Sequence, residues 1–184
     1  MRKQALLFCC AQVVLLCYAQ IHKNRILVFL CLGLFLLHIA YTCIHNYELP
    51  VLLFYLPWTA LLRFSPDSIS FYTLALLMVG CIEIVKNKFQ LKNYYVSIAL
   101  VIAVLSLLAK IISGYRLTNS YLMFLAMLVL FPMLDFENRG YDFYWLTVSF
   151  AIGIIIAALT AERFAGYPNI AQYIKVDSYL SITR

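Results

Sequence analysis

Apolar residues run almost unbroken from Ala5 to Thr160, interrupted only by short polar notches. Seven apolar stretches emerge, at 5–21, 26–44, 47–64, 69–85, 95–113, 121–134 and 143–160. None shows the strict in/out alternation of barrel strands, so a β-barrel is excluded. Inside lipid every backbone N–H and C=O needs an internal partner, which leaves helices for continuous apolar runs. Crossing the hydrocarbon takes about 17–25 largely apolar residues. The pattern therefore predicts an all-α, polytopic transmembrane helix bundle of about seven spans over residues 1–160.

Two runs test that count. The 121–134 stretch is short unless Asn119 and Asp135 sit at the interfaces. The 47–64 stretch has an apolar centre of Val51 to Leu62, broken by Pro57, with Glu48 and Arg63 near its ends. It is expected to span with its charges reaching the surfaces, and six spans remain if it is re-entrant. From Ala161 the chain turns polar and turn-rich, and Ile170, Tyr173, Ile174, Val176, Tyr179 and Leu180 suggest a short interfacial helix. Residues 161–184 are accordingly expected to form an outer-face loop, cut short as in the front portion of a longer protein.

Composition agrees. The chain is 65% hydrophobic and 12% charged, with mean hydropathy +0.90, far from an ordinary soluble domain. Its six cysteines all fall in or beside apolar runs, without zinc-site spacing, and read as small apolar filler. The opening Met1-Arg2-Lys3 before an apolar run could pass for a secretory signal, but further spans follow at once and retention is expected.

Charge sets the orientation. The loop holding Lys86, Lys88 and Lys92 contains no acid and argues for the cytoplasm, which puts the N-terminus there too. The far side then carries Lys23, Arg25, Arg63, Arg116, Arg163, Lys175 and Arg184. This outer excess opposes the usual bias. It is explained equally by binding of something anionic or by short loops carrying little topological information. The basic residues are scattered over several loops and form no nucleic-acid patch.

Candidate chemistry is sparse, with no Gly-rich phosphate loop, HExxH, GxSxG or paired carboxylates in one span. His38 lies within a run and should face the bundle interior, while His22 and His45 mark run margins. Glu83 and Lys86 can share a helix face and read as a boundary pair. Lys110, close before Gly114-Tyr115-Arg116, makes a basic aromatic edge suited to a lipid phosphate, although ordinary snorkelling explains it as well. The many tyrosines at run ends form the aromatic belt expected at interfaces.

Leu56-Pro57-Trp58, then Leu61-Leu62-Arg63-Phe64-Ser65-Pro66 and Ser70-Phe71-Tyr72-Thr73, resemble the early region of O-antigen ligase/polymerase-like membrane proteins. The resemblance covers residues 25–184 with weakly specific motifs. It implies a glycosyltransferase-like role in bacterial surface polysaccharide biosynthesis, in the cytoplasmic (inner) membrane. Glycan would pass from a polyprenyl diphosphate-linked donor at the outer face, without a cofactor or metal. Arg184 stands where that family places a loop arginine, and Arg116 is the supporting candidate for the diphosphate. The later catalytic loop of the family is absent, so this stretch alone is expected to be inactive. A transporter or permease fragment, or a non-catalytic integral membrane scaffold, is the competing class. A transporter should show repeats and matched broken helices, and Pro57 and Pro132 reveal no such repeat.

Overall fold

A computed structural model describes residues 2–59, 61–64, 68–86, 94–114, 118–133 and 142–165, with side chains placed to Leu130 in the sixth helix and Leu159 in the seventh. Every described element is helical: α1 (Arg2–Ile21), α2 (Arg25–Ile44), α3 (Glu48–Tyr55) with a 3-10 turn (Leu56–Trp58), α4 (Phe71–Lys86), α5 (Tyr94–Ile112), α6 (Asn119–Met133) and α7 (Phe143–Ala165). Three stretches, Lys3–Ile21, Arg25–Ile44 and Tyr94–Ile112, are long and apolar enough to cross a membrane. Glu48–Trp58 and the parts of α6 and α7 with placed side chains, Asn119–Leu130 and Phe143–Leu159, are further apolar stretches. The described residues thus form seven helices, of which three carry a stretch of crossing length, so the expected seven spans are not all matched.

The 47–64 run differs most from its sequence reading. It forms two turns of α-helix and one 3-10 turn, about 18 Å of rise against the ~30 Å of a hydrocarbon core. Pro50 sits in the first turn of α3, where a missing N–H costs nothing. Pro57 lies at the start of the 3-10 turn and ends the regular helix. Farther along, α7 continues to Ala165, beyond the predicted end of its run at Thr160.

The chain divides into two units, residues 1–72 with 141–184, and residues 73–140. In the first, α1 and α2 form an antiparallel hairpin. Their buried positions recur every three or four residues: Leu6, Cys9, Val13, Leu16 and Gln20 on α1, and Val28, Cys31, Leu32, Phe35, Ile39 and Cys43 on α2. Four of the cysteines are buried on these faces, where small side chains let helices approach.

Both hairpin helices end alike. Asn24 N–H donates to Ala19 O (3.0 Å) and Lys23 N–H to Gln20 O (3.2 Å), the Schellman arrangement. Tyr47 N–H repeats it on Thr42 O (2.9 Å), and Asn46 N–H on Cys43 O (3.2 Å). The left-handed position is filled by Lys23 and Asn46, each at φ 53°. Asn24 then caps α2, its Oδ1 accepting from Leu27 N–H at 3.1 Å. The sequence shows this repeat as Tyr18-x-x-Ile21-His22 and Tyr41-x-x-Ile44-His45.

The most extensive pairing in this unit is α3 on α7. Ser149, Gly153 and Ala157 recur every fourth residue on α7. A Cβ on Gly153 would collide with the Phe54 carbonyl oxygen, so only glycine permits this backbone approach.

In the second unit α5 and α6 form another hairpin. Gly114, at φ 68°, ends α5, and Ser106 Oγ meets Tyr121 Oη at 2.7 Å across the pair. Thr73 Oγ1 donates to Asn119 Oδ1 at 3.0 Å, joining the starts of α4 and α6.

Candidate functional site

Several residues that carry the family resemblance, Leu56–Trp58, Leu61–Phe64 and Ser70–Tyr72, are described within the first unit, whereas Ser65 and Pro66 lie outside the described residues. After the 3-10 turn, Leu61 and Leu62 N–H both reach Trp58 O, at 2.9 and 3.1 Å. Leu62 O then accepts from Phe71 N–H at 2.7 Å, and Ser70 Oγ lies 3.2 Å from the same oxygen. That hydroxyl also reaches Thr59 O at 3.0 Å and accepts from Tyr72 N–H at 3.2 Å. Ser70 therefore closes the segment onto itself just before α4 begins, a role its hydroxyl can fill because it both donates and accepts. Tyr72 Oη completes the closure by donating to Leu52 O at 3.1 Å.

Gln20 ties this knot to the hairpin, its Nε2 donating to Arg63 O at 3.1 Å. Since α3 leaves the C-terminal end of α2 and Arg63 lies at the C-terminal end of α1, the short element carries the chain from one end of the hairpin to the other. Pro57 ends its regular helix, and the chain goes on through the 3-10 turn and the non-helical Leu61 and Leu62. The side chains of Trp58, Leu61, Leu62 and Arg63 are all buried.

Arg63, whose charge was expected to reach the surface, is instead buried at 4% exposure. A guanidinium stays charged at any accessible pH, so its removal from water requires polar partners. Glu48, at the start of α3, is fully buried as well. The predicted diphosphate contacts Arg184 and Arg116 both lie outside the described residues, as does the side chain of Arg163.

A second polar cluster occupies the interior between α1, α2 and α3. Tyr55 Oη donates to Gln12 Oε1 at 2.6 Å, and Gln12 Nε2 donates to the Cys31 carbonyl at 2.8 Å. One amide thus joins three helices where unsatisfied polar groups are expensive. Nearby, Cys9 Sγ lies 3.9 Å from His38 Nδ1, and the Phe8 ring stands edge-on to the imidazole at 4.6 Å. His38 was read as an interior residue without a partner on its own helix; its partner comes from α1. Gln12 and Tyr55 were missed, although Gln12 and Gln20, eight apart in an apolar run, had marked one face of α1 as polar-tolerant.

Glu83 is fully buried and its carboxylate lies 3.7 Å from Lys86 Nζ, the boundary pair expected from the spacing. Lys110 Nζ rests 4.1 Å from the centroid of the Tyr121 ring, a cation–π contact within the α5–α6 hairpin. Among the described residues no group of three or more His, Cys, Asp or Glu side chains is arranged to hold a metal. Comparison with protein-family models, with curated proteins and with solved structures finds no match.

Proposed function

We propose that this chain is the membrane-embedded part of a polysaccharide ligase or polymerase, which transfers glycan from a polyprenyl diphosphate-linked donor. The observation that supports it most is the closure of Thr59 and Leu62 onto Ser70 and Phe71. The motifs resembling that family are joined by hydrogen bonds through Ser70 and Leu62 and fixed to α1 through Gln20.

The proposed topology has about seven crossings of the bacterial cytoplasmic membrane, with the N-terminus in the cytoplasm. The α1–α2 turn and Arg63 then lie toward the outer face, and the Lys86–Lys92 loop lies inside. Arg184 and Arg116 would contact the donor's diphosphate, where the guanidinium fork suits phosphate oxygens and stabilises the departing charge. Losing such a charge-assisted contact costs about 1.5–3 kcal/mol, or roughly ten- to a hundredfold in rate if it tightens in the transition state.

The test deletes the gene in its host, returns either the wild-type gene or Arg184→Ala, and scores surface polymer together with lipid-linked donor. Loss of polymer with donor accumulating at the outer leaflet is expected for the deletion. Arg184→Ala should reproduce that defect at normal membrane abundance, and Arg184→Lys should rescue poorly. Donor trapped at the inner leaflet would favour a transporter, and unchanged polymer in the deletion would favour a scaffold.

A further inference from the structure

We infer that the α1–α2 turn is a binding edge for anionic phospholipid headgroups, with Lys23 and Arg25 as its contacts. The inference is independent of the glycan-transfer proposal, because it rests only on the turn's geometry and on charge.

The turn is short and fixed. Ile21 ends α1, Arg25 begins α2, and the three residues between are held by the Schellman bonds and by the Asn24 cap. His22, Lys23, Asn24 and Arg25 are all exposed, and Lys23 is locked at φ 53°. The two cationic side chains thus leave a rigid support, so little backbone order is lost when they bind. Neither has an acidic partner among the described residues.

The sequence makes that lack of neutralisation general. No Asp or Glu occurs before Glu48, although Arg2, Lys3, Lys23 and Arg25 all precede it. The hairpin cannot balance its own charge. Its flanks, Lys3–Ile21 and Arg25–Ile44, are long and apolar enough to lie in lipid, which brings the turn to headgroup depth. Tyr18 supports this depth, its ring 4.4 Å from that of His22 in the last turn of α1. The positive end of the α2 dipole adds the same sign. A lipid phosphate is the anion available at that depth, and an acidic headgroup supplies it without a compensating choline or ethanolamine.

The experiment uses the full chain purified in a neutral detergent, with phosphatidylglycerol or phosphatidylcholine added and bound lipid counted by native mass spectrometry. Wild-type protein should retain phosphatidylglycerol in preference to phosphatidylcholine. Each basic residue near a lipid surface contributes about fivefold in affinity, so Lys23→Ala with Arg25→Ala should weaken retention by roughly 25-fold. The charge-keeping pair Lys23→Arg with Arg25→Lys should retain it. Both positions are exposed, and the thermal midpoint without lipid checks that each variant is folded. Equal retention of the two lipids by the wild type, or undiminished retention by the double alanine variant, would overturn the inference. So would displacement of phosphatidylglycerol by equimolar polyprenyl diphosphate, which would make the edge a donor contact.

Discussion

Replacing Gly153 by alanine probes the close approach of α7 to α3. The added methyl would overlap the Phe54 carbonyl oxygen and lie 3.2 Å from both Phe54 C and Phe54 Cα. All three are backbone atoms, so no side-chain rotation relieves the overlap and α7 must withdraw from α3. Overpacking of this kind costs about 1–3 kcal/mol. Alanine in a helix interior returns about 1 kcal/mol relative to glycine. The net loss at position 153 is therefore about 0–2 kcal/mol. Gly33 and Gly80 supply internal controls, since a Cβ at either meets nothing within 4 Å. Gly33→Ala and Gly80→Ala should show the helix gain alone, which sets them above Gly153→Ala by about 1–3 kcal/mol. The assay is thermal unfolding in detergent, followed with a thiol-reactive dye that reports exposure of the buried Cys9, Cys31 and Cys43. A midpoint for Gly153→Ala equal to those of the controls would refute the close α3–α7 approach.

The same unfolding assay checks two further expectations. Gln12→Ala and Tyr55→Phe should each destabilise, and their double-mutant cycle should show a coupling of about 0.6 kcal/mol, the average for hydrogen bonds between membrane helices, and at most about 1.7; additive effects would remove the interhelical bond. Lys23→Gly should stabilise by about 0–1.6 kcal/mol, the relief of a left-handed residue's ~1–2 kcal/mol less glycine's entropic cost of about 0.4–1. Asn46→Gly should gain less, because asparagine already tolerates that conformation; a larger gain at position 46 than at 23 would contradict this account.

The sequence was most legible where apolar continuity and helix coincide. The bounds of α1, α2 and α5 follow their runs within a few residues, because Lys23, Asn46 and Gly114 occupy the terminating positions and interrupt the hydrophobic pattern there. Apolar continuity misled over 47–64 for a physical reason. Hydropathy reports burial, and Trp58, Leu61 and Leu62 are buried in a 3-10 turn and its sequel without extending α3. The run's length therefore overstated the helix, and Pro57 was the better guide to its end. The burial of the Arg63 side chain escaped through the same neglect of tertiary packing. Its charge was expected to reach the surface, whereas its side chain is buried and its carbonyl is held by Gln20 from 43 residues away. The Gln12–Tyr55 bond has the same separation. Helical periodicity can mark Gln12 and Gln20 as sharing a face, but only the return of α3 along the hairpin decides what meets them. Buried polar residues on one helix face are thus the sequence's notice that a partner exists, and the identity of that partner is a property of the fold.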